Sequence, residues 1–221
     1  MFNSSFIWIG VIVVIFILCI ALLIFAPKGK NYFNSNIYPI VKYLHENNLQ
    51  TFKDDFKKIK DENWVNYTID VQGKCGMCPL YMFSITSKKN TKLCQNTYDL
   101  VHNIPDLKTC TYMIIHPKSQ ILKNKGWKDL ANNTLRCAVI INSMTSTMDK
   151  CGIWVNGQTK KIKANDLLIF DASKEYSIYN HTPLNLELLI FDIKRPDNIA
   201  CGLSERLYSN KLQGFISKIN I

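Results

Sequence analysis

Cys75-Gly-Met-Cys78 has the spacing of a redox pair or of half a zinc site, and Cys94 and Cys110 follow as further thiols. Neither use is completed. No second C-x-x-C or neighbouring histidine rounds off a zinc set, and the strand-into-helix setting of a thioredoxin-type pair is missing. Where the compartment permits, disulfides are the better use of these thiols: Cys75 or Cys78 with Cys94 across a short loop, and Cys110 as a further candidate, the connectivity staying open. The histidines offer no metal site, since His116 precedes a proline at a turn, His181 sits in a turn, His102 lies on a helical stretch and His45 falls outside the strand-rich region. The stretch LLIFDASKEYSIYN, residues 167–180, reads as a strand, a tight turn and a second strand that aims one polar side chain, Tyr176, into a pocket.

The elements that must carry these residues follow from periodicity. With 221 residues, 47% of them apolar, the chain holds one domain and an appendage. After a short tail (1–5), residues 6–26 are uncharged and proline-free. At 1.5 Å rise per residue this run matches a hydrocarbon core of about 30 Å and reads as a transmembrane anchor. A cleaved signal peptide fits less well, because MFNSS carries no basic side chain and the apolar run exceeds the usual ~7–15 residues. Residues 27–36 form a polar tether, and over 37–63 apolar positions such as Val41, Leu44, Phe52 and Phe56 recur at helical spacing.

From 64 to 198 the period shortens. TYMII (111–115), CAVII (137–141), IWV (153–155), LLIF (167–170), YSIY (176–179) and LELLIFDI (186–193) are short strands, and Asn156-Gly157 is the dipeptide of a type I′ hairpin. TYDLVHNIP (97–105) alone in this region reads as helix. Many short strands at regular spacing predict a sandwich or barrel. Leu203, Leu207, Leu212, Phe215 and Ile219 predict a C-terminal helical segment over 199–221.

Four blocks in order, CPLYMFSITSKKNTKLCQNTYDLVHNIPDLKTCTYMIIHPKSQI, LRCAVII, CGIWVNGQTKKIKANDLLIFDASKEYSIYN and LLIFDIKRP, make the chain resemble the aspartyl/asparaginyl β-hydroxylase family over about residues 64–197. The resemblance implies a mainly β, double-stranded β-helix (a jelly-roll, cupin-like barrel) with flanking helices, which in active members holds Fe(II) through two histidines and binds 2-oxoglutarate. Carried over residue by residue, the first iron ligand falls on Asn124 and the second on Tyr176. Of the cosubstrate positions, a serine falls on Met113 and one carboxylate-binding arginine on Leu186, while the other is kept as Arg136. An amide is a weak neutral donor, and a tyrosine must lose a tightly held proton to ligate well. Arg136 reads either as a remnant anion pocket or as an ordinary salt-bridge partner, and Tyr176 as core filling or as a pocket residue.

The expectation is a membrane-anchored, catalytically inactive β-hydroxylase-like domain that binds or scaffolds protein partners, with no catalytic residue, no metal and no cofactor. The alternative is an active Fe(II)/2-oxoglutarate hydroxylase with an atypical site. A formal charge of +10 without nucleic-acid motifs points to anionic headgroups or an acidic partner. Lys28, Lys30 and Lys42 after the span place the domain on the cytosolic side. Seven cysteines beyond the span and the sequons at Asn66, Asn132 and Asn180 argue instead for an oxidising lumen. The Lys, Asn and Ile richness suits an AT-rich genome such as that of a large DNA virus, and with it a virion membrane.

Overall fold

Alternating β-branched and polar residues pair into two antiparallel sheets. The computed structural model describes residues 12–18, 29–142 and 150–207, and the chain divides into two units, Met1–Lys30 and Asn31–Ile221. In chain order the strands are β1 (Tyr32–Phe33), β2 (Val65–Asn66), β3 (Val71–Gln72), β4 (Cys75–Met82), β5 (Ile85–Thr86), β6 (Leu107–Ile115) and β7 (Ser119–Asn124). There follow β8 (Thr134–Ile140), β9 (Cys151–Val155), β10 (Gln158–Lys161), β11 (Leu167–Phe170), β12 (Tyr176–Asn180) and β13 (Leu186–Lys194). One sheet runs β1-β11-β8-β13-β6-β4-β2, with β5 on β4; the other runs β10-β9-β12-β7-β3. The fold is the mainly β jelly roll with flanking helices that the sequence predicts.

Two cores flank the larger sheet because strand side chains alternate between faces. On β13, Leu186, Leu188 and Ile190 join Met113, Ile140, Ile153, Phe170 and Ile178 inside the barrel. Leu189, Phe191 and Ile193 face the other way, with Tyr112 and Val139, and are covered by the helices Pro39–Phe56 and Gln95–His102. Burial on both faces explains the continuous apolar run LELLIFDI. The Tyr112 hydroxyl anchors the cover, donating to the Phe52 carbonyl at 2.9 Å and lying 2.8 Å from Thr97 Oγ1. Asn156 (φ 42°) and Gly157 (φ 87°) close the β9–β10 hairpin in the left-handed region that a type I′ turn requires.

Several expectations are corrected. Cys75 and Cys78 lie on one strand three residues apart, so they point to opposite faces: Cys75 into the barrel, Cys78 into the helix-covered core with Cys94 and Cys110. All four are free thiols, and no disulfide joins Cys75 to Cys94 across the sheet that separates their cores. Burial pushes the Cys75 thiol up to about 12; burial and the nearby Asp55 do the same for Cys94, and Cys78 and Cys110 are also raised by burial, so the nucleophilic or metal-binding thiolate is disfavoured at all four. The predicted C-terminal helix is absent over 199–207, which runs irregularly; the remainder of that segment lies outside the described residues.

The anchor over 6–26 also lies mostly outside the described residues. Residues 12–18 of it are helical with exposed side chains, and no described helix is long and apolar enough to cross a membrane.

Of the sequon asparagines, Asn180 is fully buried and is a structural hub. Its amide donates to the carbonyls of Ile115 (2.9 Å) and Leu184 (2.7 Å), and its Oδ1 accepts from the Thr182 hydroxyl at 2.6 Å. A glycan there is incompatible with the folded barrel. Asn132 is engaged with Ser204 through both ends of its amide, so Asn66 is the exposed acceptor of the three. Asn180→Ala should lower the urea midpoint by the equivalent of about 1–3 kcal/mol for each buried carbonyl left without its donor. A midpoint unchanged from the parent chain would show that Asn180 is dispensable.

Candidate functional site

The barrel interior holds one charged pair, built by register. Arg136 on β8 lies opposite Asp192 on β13, and Asp192 lies opposite Thr109 on β6, so three neighbouring strands bring three polar side chains to the same inner face. Arg136 Nε donates to Asp192 Oδ1 at 2.8 Å and Nη2 to Oδ2 at 3.0 Å, a two-pronged fork. Thr109 Oγ1 donates to the same Oδ2 at 2.6 Å. The third guanidinium nitrogen, Nη1, donates to the Tyr176 hydroxyl at 2.9 Å. Burial opposes the Arg136 cation most strongly, but the Asp192 carboxylate together with Tyr176 and Tyr67 more than offsets that penalty and holds its pKa above the ordinary guanidinium value.

Tyr176 is 4% exposed and packs its ring 5.6 Å from that of Phe170. Its backbone is directly opposite Asn124 in the β12–β7 ladder, so these two positions are cross-strand neighbours. Asn124 does not use that proximity: its amide turns back to donate to the Leu122 carbonyl at 2.8 Å. Gly126 holds this end of β7, donating to the Ala172 carbonyl at 2.7 Å where an added Cβ would meet Ala131 Cβ at 2.7 Å.

Tyr67, Met113, Asn124, Trp127, Arg136 and Tyr176 line a cavity with about 40 Å³ of room for the centres of water molecules. That is space for a few waters. Arg206 also lines it, pairing with Asp70 and donating to the Lys125 carbonyl at 3.1 Å, with its guanidinium 5.6 Å from the Trp127 ring centroid. Leu186 does not reach the cavity; it is fully buried opposite Ile115 in the apolar part of the barrel.

A profile of the aspartyl/asparaginyl beta-hydroxylase family matches residues 41–196. The chain belongs to this family. It is 28% identical over 153 residues to an ornithine lipid ester-linked acyl 2-hydroxylase from Rhizobium tropici, covering 69% of this chain and 50% of that protein. The chain therefore spans about half the length of the curated relative it matches. Among solved structures, an oxidoreductase of the 2OG-Fe(II) oxygenase family from Burkholderia pseudomallei superposes with a TM-score of 0.50 at 6% identity, over 69% of this chain and 81% of that one. A predicted oxalate decarboxylase from Thermotoga maritima gives a TM-score of 0.40 at 18% identity, over 62% and 98%.

The resemblance to the β-hydroxylase family assigns roles to some of these positions. The two positions that resemblance assigns to iron are adjacent across β7 and β12, with the retained arginine one hydrogen bond away. The donors do not fit Fe(II) and 2-oxoglutarate. One is a neutral amide folded onto its own strand; the other is a phenol, which must lose its proton to ligate; and the guanidinium that the resemblance aligns with a cosubstrate carboxylate holds Asp192. Among the described residues no three His, Cys, Asp or Glu side chains gather as an alternative ligand set.

Asp192, Thr109, Tyr67 and Arg206 were not singled out from sequence. Asp192 carried a legible signal, being the one charge on the inner register of Leu186, Leu188 and Ile190, a position that demands a buried partner. Asp192→Ala should destabilise the fold by about 3–5 kcal/mol, because it strands the Arg136 cation. The double change Arg136→Met with Asp192→Leu should cost far less. Tyr176→Ala should cost about 2–5 kcal/mol through the cavity it leaves. Denaturant midpoints check all three, and a loss below about 0.5 kcal/mol for Tyr176→Ala would mean it is not core.

Proposed function

We propose that this chain is a non-catalytic member of its family, a β-hydroxylase-like barrel that serves as a binding or scaffolding domain and is held at a membrane through residues 6–26. The observation that carries this reading is the closed Arg136–Asp192–Tyr176 network. The fork that would receive a cosubstrate carboxylate already holds one from the protein itself, at 2.8 and 3.0 Å. Each departure removes a separate requirement: metal retention by imidazoles, an open metal position for O₂, and orientation of 2-oxoglutarate. With no such chemistry left, the retained architecture offers surface and rigidity, and protein partners are the class that uses both. The basic residues Lys28, Lys30 and Lys42 that follow the apolar run favour a cytosolic domain, and the Lys, Asn and Ile richness suits an AT-rich genome such as that of a large DNA virus and with it a virion membrane.

The rival reading, an active hydroxylase with an atypical ligand set, draws on the similarity to a lipid acyl 2-hydroxylase. One experiment separates the two. With Fe(II) or Mn(II) present, 2-oxoglutarate should leave the melting temperature of the full chain unchanged at concentrations where a micromolar ligand would raise it. Metal-dependent conversion of 2-oxoglutarate to succinate above background, abolished by Tyr176→Phe or Asn124→Ala, would establish the rival. Topology is read separately: protease added to the cytosolic face of sealed vesicles should digest the domain after Lys28, whereas full protection with a glycan on Asn66 would reverse the orientation.

A further inference from the structure

The N-terminal stretch joins the barrel at one defined place. The Asn31 side-chain amide donates to the carbonyls of Val155 (3.2 Å) and Asn156 (3.3 Å) and to Gln158 Oε1 (3.1 Å), and the Tyr32 hydroxyl donates to the Ile153 carbonyl at 2.6 Å. Lys174 Nζ in turn donates to Asn31 Oδ1 at 2.9 Å. The chain thus leaves the domain at the tip of the β9–β10 hairpin. From Ala26 to Asn31 there are only five residues, which fully extended reach at most about 18 Å. That chain length alone bounds the distance from Ala26 to Asn31.

The face around this exit is basic and aromatic. Every residue of β10, Gln158–Lys161, is exposed. Lys160 Nζ lies 4.7 Å from the Tyr32 ring centroid, and Lys123 Nζ on β7 lies 4.3 Å from that of half-buried Trp154 on β9. Lys174 stands at the hairpin tip with Asn31, and Lys163 follows the other end of β10. The carboxylates there are fewer: Asp166 accepts from the Lys163 amide, and Glu175 is exposed beside the hairpin turn. Lysines paired with tryptophan at a bilayer's edge are suited to headgroups, the charge in water and the ring at the interface.

We propose that the β9–β10 hairpin docks by its exposed edge, with Lys160 on one side of the sheet and Lys123, Trp154 and Lys161 on the other, on the anionic phospholipid headgroups of the membrane that residues 6–26 enter. This rests on the membrane attachment proposed above. The plainer use of lysines on an edge strand is to block pairing with another sheet, and that use is indifferent to lipid. An anionic leaflet acts on each lysine within a Debye length, about 8–10 Å at ordinary ionic strength, an approach that the tether's length permits and that the docking itself would hold.

Amine-reactive labelling of the full chain, reconstituted in vesicles of phosphatidylcholine with or without phosphatidylserine, tests the docking. Lys123, Lys160 and Lys161 should label about fivefold more slowly with phosphatidylserine, and high salt should abolish the difference. Lys88 and Lys89, on the helix beside β4 at the opposite edge of the larger sheet, should label alike in both. Lys160→Glu with Lys161→Glu should return Lys123 to its phosphatidylcholine rate without changing the melting temperature. Equal labelling in the two lipids, or protection that extends to Lys88 and Lys89, overturns the proposal, as would an acidic protein that protects the hairpin when lipid does not. Attachment itself is read from flotation with phosphatidylcholine vesicles in high salt. Failure to float there overturns the attachment, whereas flotation with uniform labelling overturns the hairpin's role alone.

Discussion

A carboxylate at the centre of a barrel must be neutralised where it stands, and Asp192 meets Arg136 from the next strand with two parallel hydrogen bonds. Thr109 satisfies a further lone pair, and Tyr176 takes the guanidinium's remaining direction. Breaking any one contact leaves a buried charge or donor uncompensated, so the four side chains stand or fall together. Arg136 thus spends two of its nitrogens on a carboxylate of the protein and the third on the Tyr176 hydroxyl.

Other residues of the family blocks do structural work away from this cavity. In Phe170-Asp171-Ala172-Ser173, Asp171 Oδ1 accepts from the Ser173 amide at 3.0 Å and hydroxyl at 2.6 Å and from Arg195 Nη2 at 2.7 Å. Arg195, from the block that closes the family match, also reaches the carbonyls of Ala131 and Thr134 at 3.1 Å. This second buried pair fastens the turn before β12 to the end of β13 without touching the cavity. Gly126 seats β7 against the same turn. The motif therefore places Tyr176 and Asn124 side by side whether or not either can ligate a metal.

The second core shows why abundant cysteine here is a packing choice. Cys78, Cys94, Cys110 and Cys137 sit fully buried among Tyr112, Leu135, Val139 and Phe191 beneath the helices. A small apolar thiol fills such a position well, and desolvation keeps it protonated.

What the sequence by itself determined is the local and the periodic. The apolar runs of CAVII and LLIF and the Asn156-Gly157 turn mark strands of a sandwich or barrel, the four family blocks imply a jelly roll, and the absence of histidine at positions 124 and 176 is read directly from the chain. Tertiary structure decided what depends on which strands meet. Only the β8–β13–β6 register joins Arg136 to Asp192 and Thr109; only the opposite facing of Cys75 and Cys78 rules out their joint use; and only three-dimensional packing turns the Asn180 sequon into a buried hub and 199–207 into an irregular strap. The physical reason is common to all. A hydrogen bond or ion pair between residues 56 or more positions apart is set by strand pairing and burial, and neither leaves a mark in the spacing of either residue alone.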